Sequence, residues 1–282
     1  MDLRDLEVFV AVAEEGGVVR AADRLGRVQS AVTTRIKGLE ADLGQTLFRR
    51  EARGMRPTPA GDELLGYAKR LLDLAAEARV AVAGGVPRGT FRLGSMESTA
   101  AMRLAAPLTA LGQRYPEIEI ALTVERPETL LAQLRDGALE AAFVAGEVDG
   151  TAFESVSVFR EPMALVSCAG VGAARPERFL VFGLDCPNRA RLMDWYASEG
   201  ISPKQIVEIG SYHAMLGSIA IGLGAGLMPE GMLETYPDRA RLQARPLPEP
   251  FRYLDVRLVW RAGMHSPKIA ALLDLLASDR AA

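Results

Sequence analysis

A chain of 282 residues, 49% hydrophobic and 24% charged, has the composition of ordinary soluble globular protein and the length for two or three domains. A formal net charge of −3 argues against indiscriminate coating of nucleic acid, and two cysteines imply no disulfide framework. The N-terminus Met-Asp-Leu-Arg-Asp-Leu-Glu lacks the apolar core of a signal peptide and no apolar run approaches membrane-spanning length, so a cytoplasmic protein with no membrane partner is expected.

Leu3, Leu6, Phe9, Val10 and Ala13 predict a first helix with one apolar face, ending at Gly16-Gly17. A short amphipathic helix, Arg20–Leu25, ends at Gly26, a residue suited to a left-handed cap. The helix that follows, from Gln29 through Glu40, places Val32, Ile36, Leu39 and Leu43 on one buried stripe. Ser30, Thr34, Lys37 and Ala41 fall on the opposite face, with Thr33 and Arg35 on its flanks. That face is short, hydroxylated and basic, with no acid before Glu40, so it can enter a major groove without repulsion. Two helices, a tight turn and this polarity read as a helix-turn-helix, with Gln29, Ser30, Thr33, Thr34, Arg35 and Lys37 as candidate DNA contacts. Arg49, Arg50, Arg53 and Arg56 lie in a Gly- and Pro-containing loop suited to a wing against phosphates. From Arg20 to Arg56, nine Lys and Arg stand against four acids, leaving +5 in an acidic chain. Local charge of this kind is a nucleic-acid footprint, although a solvated helical surface is the alternative.

Thr58-Pro59 predicts a helix start, with Thr as N-cap, Pro at the first position and Asp62-Glu63 in the first turn. The helix is expected to reach about Ala83 and stop at Gly84-Gly85. Leu64, Ala68, Leu71, Ala75, Ala78 and Val82 form a heptad seam, widened by Leu65 and Leu72. With no obvious partner segment nearby, the seam is expected to meet a second copy of the chain, the alternative being packing on its own domain. Gly84–Gly89 is a hinge by composition. Beyond it, short apolar strands alternate with helices. The expected strands are Phe91–Leu93, Ile118–Val124, Ala141–Val144, Val156–Phe159, Met163–Val166, Leu180–Phe182, Ile206–Ile209, Gly226–Met228 and Val256–Trp260. The helices include Thr99–Arg114, Thr129–Asp136, Asn188–Glu199, His213–Gly222 and Pro267–Ala277. This is α/β order, whose ligand crevice lies at the C-terminal ends of the strands.

The string Ala21-Ala-Asp-Arg-Leu25, Gln29-Ser-Ala-Val-Thr33, Ile36, Leu39-Glu40, Leu43-Gly44, Leu47-Phe-Arg-Arg50 and Thr58-Pro-Ala-Gly61 resembles the winged helix-turn-helix of LysR-type transcriptional regulators. Gly17, Val19 and Val28 depart from that pattern, standing where family members commonly have Ser or Thr. Near helix starts, Val19 and Val28 remove expected side-chain caps at about 0.5–2 kcal/mol each. Leu93-Gly-Ser-Met-Glu-Ser-Thr-Ala-Ala101, Tyr115-Pro116, Ala141-Ala-Phe-Val144, Gly210-Ser-Tyr212 and Gly222–Pro229 are similar to the family's effector domain. The resemblance implies an N-terminal all-α winged helix-turn-helix over residues 1–58 and a linker, dimerisation helix and hinge over 59–88. It implies a two-lobed α/β effector domain of the periplasmic-binding-protein kind over 89–282, with lobes of about 89–160 plus 255–282 and 161–254. It further implies a double-stranded DNA operator, a small-molecule effector, a homodimer or homotetramer formed through the linker helix, and RNA polymerase as a possible partner.

Ser95-Met96-Glu97-Ser98-Thr99 follows a strand and opens a helix. The hydroxyls of Ser98 and Thr99 and the helix N-terminus favour a carboxylate, with a plain N-cap as the alternative. Ser211 and Tyr212, at another helix start, are the expected contacts across the cleft. Glu97 and Glu147 would instead suit an amine-bearing ligand. Gly222-x-Gly-x-Gly226 follows a helix and precedes a strand, the reverse of the dinucleotide fingerprint, and reads as a turn. No histidine or cysteine spacing implies a metal or other cofactor, and no nucleophile set implies catalysis. Two rivals to the regulator reading stay open: a thiol response through Cys168 and Cys186, and an α/β binding or enzymatic domain with an N-terminal oligomerisation module.

Overall fold

The computed structural model describes residues 1–51, 54–82, 86–170, 178–183, 186–200 and 204–279. Its chain divides into two compact units. One holds Met1–Val86, and the other holds Pro87–Leu131, Leu139–Met264 and Lys268 onward.

The first unit opens with α1 (Leu3–Glu15), capped reciprocally: the Asp5 N–H donates to the Asp2 carboxylate and the Asp2 N–H to that of Asp5. α1 stops at Gly16, in the left-handed region at φ 65°. α2 (Val18–Leu25) and α3 (Gln29–Leu43) follow, and neither has a side-chain cap, since Gly17 and Val28 occupy the N-cap positions. Packing holds them instead. Leu6, Phe9 and Val12 of α1, Ala21 and Ala22 of α2, and Val32, Ile36 and Leu39 of α3 form one buried core. Leu43, expected in this stripe, is 38% exposed. It is the last helical residue before Gly44, and Leu47 and Phe48 from beyond the turn complete the core.

The basic loop is a two-stranded ribbon, β1 (Phe48–Glu51) and β2 (Gly54–Pro57), with Phe48 opposite Pro57 and Glu51 opposite Gly54. The Met55 N–H donates to the Gly16 carbonyl at 2.9 Å, which ties the ribbon to the end of α1. Gly54 has φ 141°, and a Cβ there would stand 2.3 Å from the Gly16 oxygen, so the close approach requires glycine.

α4 (Pro59–Val82) begins as expected, with the Gly61 N–H donating to Thr58 Oγ1 at 3.1 Å. Its seam divides into two faces. Ala68 is fully buried, and Leu64, Leu65 and Leu72 pack with it on the unit's own core, so Leu64 and Ala68 are not available to a second copy. These positions recur every three or four residues and face α1, where Lys69 also reaches Glu14 at 3.0 Å. Burial pushes the Glu14 carboxyl up, but Arg24 and Lys69 together hold it below its usual value. Tyr67, Leu71, Leu74 and Val82 remain exposed along the rest of α4, with Ala78. Of the expected hinge, Gly84 and Gly85 lie outside the described residues, while residues 86–88 carry no regular structure.

The second unit runs β3 (Gly89–Ser95), α5 (Glu97–Arg103), α6 (Ala105–Arg114), β4 (Ile118–Val124), α7 (Pro127–Arg135), β5 (Ala141–Ala145) and β6 (Phe153–Cys168). It continues with β7 (Arg178–Val181), α8 (Pro187–Ser198), β8 (Gln205–Glu208), α9 (Tyr212–Ala220), β9 (Ala225–Pro229), β10 (Leu242–Pro246), β11 (Tyr253–Arg261) and α10 (Pro267–Asp279). The strand order is β4-β3-β5-β11-β6-β9-β7-β8, with β10 also on β6. β3 pairs in parallel with β4 and β5, and β7 with β8 and β9, giving two lobes. In the second lobe, Phe179 and Val181 pack with Trp195 and Tyr196 on one face of the sheet. Leu180 between them packs with Met215, Leu216 and Ile219 on the other, the alternation of a strand buried on both sides.

Three elements differ from expectation. The two strands Val156–Phe159 and Met163–Val166 are one strand, β6. Its first part, through Pro162, pairs with β11, and Met163–Cys168 pairs with β9 and β10, so β6 passes from one lobe to the other. Pro162 stands at the crossing. Thr99–Arg114 is two helices, α5 and α6, because Pro107 lacks the N–H that would bond the Arg103 carbonyl of a continuous helix. β10 escaped notice because its sequence, Leu-Gln-Ala-Arg-Pro, is polar, as an edge strand can be.

Candidate functional site

α3 presents Gln29, Ser30, Thr34, Lys37 and Ala41 to solvent, with Thr33 half-buried at its edge. Arg35 is different: its Nη1–H donates to Asp5 Oδ1 at 2.6 Å and lies 3.7 Å from Asp2. It fixes α3 against the start of α1 and is not free to reach outward. Arg49 and Arg56 approach Glu51 at 3.4 and 3.3 Å with side chains 61% and 70% exposed. Exposed pairs of this kind contribute about 0–1 kcal/mol, so exchanging Glu51 for a phosphate costs little. Arg50 is exposed on the ribbon, and Arg53 lies outside the described residues.

In the second unit both lobes reverse strand order at a central parallel strand, β3 in one and β7 in the other. The crevice outside the C-terminal end of such a strand is where α/β sheets hold ligands. The chain places both crevices on one cavity of about 40 Å³. Met96, Glu97 and Ser98 follow β3, Glu125, Arg126 and Pro127 follow β4, and Ala145 ends β5. From the other lobe come Phe182 after β7, Cys186 and Asn188 at the start of α8, and Tyr212 opening α9, while Leu254 belongs to β11. A space of this size suits a few waters, so a metabolite needs the walls to move apart.

The polar groups are unevenly satisfied. Asn188 is 7% exposed and donates from Nδ2 to the Tyr212 hydroxyl at 2.8 Å, but its Oδ1 has no partner among the described residues. A buried acceptor left unpaired costs about 1–3 kcal/mol. Burial pushes the Tyr212 hydroxyl above its ordinary pKa and keeps it protonated. Burial also raises the Cys186 thiol. Glu97 reaches across from α5 and accepts from the Tyr212 N–H at 3.2 Å and the Ser211 hydroxyl at 3.3 Å. Arg126, exposed at the rim, makes no ion pair among the described residues.

A model of the LysR substrate binding domain matches residues 84–281, and one of the bacterial regulatory helix-turn-helix protein, lysR family, matches residues 3–62. The chain belongs to the LysR family. YofA, an HTH-type transcriptional regulator of Bacillus velezensis, is 34% identical over 268 residues, covering 94% of this chain and 93% of its own. GltR, an HTH-type transcriptional regulator of Bacillus subtilis, is 30% identical over 281 residues, covering 97% and 95%. Among solved structures, full-length OxyR from Pseudomonas aeruginosa shares the fold with a TM-score of 0.79 at 23% identity, over 98% of this chain and 94% of that one. CbnR in complex with its target DNA gives 0.66 at 22% identity, over 99% of each chain. This LysR-family chain is a transcriptional regulator with a helix-turn-helix DNA-binding domain and an effector-binding domain, not an enzyme.

Of the expected effector residues, the structure brings Met96, Glu97, Ser98 and Tyr212 to the cavity, with Ser211 bonded to Glu97 beside it. Thr99 is 1% exposed and outside the lining, while its neighbour Ser98, also buried at 6%, lines the cavity. Ser95 is wholly buried, its hydroxyl donating to the Met96 carbonyl at 3.0 Å. Glu147 is exposed and away from the lining. The N-terminus of α5 makes a poor anion site, since the helix has only seven residues. Glu125, Arg126, Pro127, Phe182, Cys186, Asn188 and Leu254 were not anticipated. The signal that would have found most of them is their place just after the strands Ile118–Val124 and Leu180–Phe182, where the crevice rule points.

Proposed function

We propose that the exposed face of α3 reads base edges in an inverted-repeat operator, with the β1–β2 ribbon on the flanking phosphates, and that a small effector binds in the cavity between the lobes. The convergence of two switch-point crevices on one cavity carries the effector reading. The chain is taken to act as a dimer or tetramer through the outer face of α4, and RNA polymerase is the partner through which a bound regulator would alter transcription. A thiol response loses support at Cys186, because a raised pKa leaves little thiolate to react.

The test is operator binding by the full chain across a salt series. Thr34→Ala is expected to relax base preference with a modest loss of affinity. Arg50→Ala is expected to weaken binding to all sequences alike and to lower the salt slope by about one. An unchanged slope removes the ribbon from the DNA contact. Titrating small carboxylates and amines into the same assay tests the cavity: a true effector shifts operator affinity, and operator shifts effector affinity by the same factor.

A further inference from the structure

We propose that the N-terminus of α9 is a binding site for a small carboxylate carrying a hydrogen-bond donor, and that Glu97 is an internal competitor occupying it from the opposite lobe. The inference rests on the reading of the cavity as the effector site and adds the class of ligand and the means of regulation.

Two independent observations meet there. First, the chain itself places a carboxylate on the site: Glu97 Oε1 takes the Tyr212 N–H at 3.2 Å and the Ser211 hydroxyl at 3.3 Å. Both lengths lie at the weak end of hydrogen bonding, so a better-placed carboxylate displaces Glu97 readily. Second, Asn188 lines the same cavity with a buried Oδ1 that has no hydrogen-bond partner among the described residues, its Nδ2 being committed to the Tyr212 hydroxyl. A lone acceptor calls for a donor on the ligand, a hydroxyl or an ammonium. Arg126 at the rim adds positive charge, and it makes no ion pair with Glu97 among the described residues. Apolar walls from Met96, Phe182 and Leu254 leave room for only a compact body.

Glu97 also joins α5 of one lobe to α9 of the other. While it holds the site, the lobes are latched and the cavity is too small for a metabolite. A ligand carboxylate that takes over the Tyr212 N–H releases Glu97, and the latch passes from the protein to the ligand.

The test is thermal melting of the full chain with sodium acetate, sodium glycolate or sodium chloride at equal ionic strength. In Glu97→Ala, acetate is expected to raise Tm saturably, by about 2–6 °C at ten times its dissociation constant, with no such rise in chloride. Glycolate is expected to bind more tightly than acetate, its hydroxyl donating to Asn188, and Asn188→Ala in the same background should erase that advantage. The wild type should respond to neither acid at these concentrations. Glu97→Gln, which keeps the hydrogen bonds without the charge, should respond at higher concentration and serves if Glu97→Ala does not fold. Equal shifts in acetate and chloride, or equal acetate shifts in variant and wild type, overturn the proposal. Carboxylate binding in Glu97→Ala with no ligand altering operator affinity in the wild type upholds the internal competitor and overturns only the effector reading.

Discussion

Replacing Leu71 by glutamate is expected to make the protein monomeric and to cut operator affinity by about 100-fold or more, the range lost when two tethered binding events become separate. Leu71 is 40% exposed, and it shares α4 with Tyr67 at 55%, Leu74 at 61% and Val82 at 91%. Isolated apolar residues are ordinary on a surface, but four on one long helix leave an apolar band that water penalises. The adjoining face of the same helix is already spent on the unit's own core through Leu64, Leu65, Ala68 and Leu72. Leu71 is outside that core, so the substitution should leave the monomer folded, with unchanged circular dichroism. Two half-sites must be read together for tight operator binding, and separating the copies removes that linkage. Sedimentation decides the matter. A Leu71→Glu protein that still sediments as the wild-type oligomer would show that another surface joins the copies.

The DNA-binding unit was legible because its sequence obeys local rules. Stripes at helical spacing, left-handed glycine caps at Gly16, Gly26 and Gly44, and the Thr58-Pro59 start each act within a turn or two of chain. The missing side-chain cap of α3 stands at Val28 as expected, but α2 starts at Val18 rather than Arg20, so its uncapped position is Gly17 and Val19 lies inside the helix. What stayed hidden there was tertiary. Nothing in the spacing of Leu64 and Ala68 says that α1 covers them, and nothing in the position of Arg35 says that Asp5 holds it 2.6 Å away. A heptad seam specifies a partner's shape, not whether that partner is the same chain.

The effector unit was read less sharply for the same reason. The α/β alternation and most strands come from short-range apolar runs. The passage of β6 between lobes depends on pairing with β11, β9 and β10, all remote in sequence. The cavity has this long-range character too. Ser98 and Thr99 are adjacent and chemically alike, yet one lines the cavity and the other faces the core. Only the orientation of a two-turn helix separates them. Glu97 was read as a possible receptor for an amine, but its carboxylate is engaged by the Tyr212 N–H and Ser211 across the cleft.

α5 is tied to β6 by an ion pair whose loss should strongly destabilise the second unit. Arg103, at the end of α5, donates from Nε to Glu161 Oε1 at 2.7 Å and from Nη2 to Oε2 at 2.9 Å, a two-pronged contact. Glu161 is 2% exposed and precedes Pro162, where β6 crosses between the lobes. Arg103→Ala leaves that carboxylate buried without its cation. Such losses cost about 3–5 kcal/mol, and the low end is expected because the Arg103 side chain is 44% exposed and water can enter in its place. For a unit of this size about 3 kcal/mol corresponds to about 6–12 °C in melting temperature. Arg103→Leu combined with Glu161→Leu should recover much of the loss, because removing both charges leaves nothing to desolvate. An Arg103→Ala variant that melts within a degree of wild type would show that the pair does not hold α5 in place.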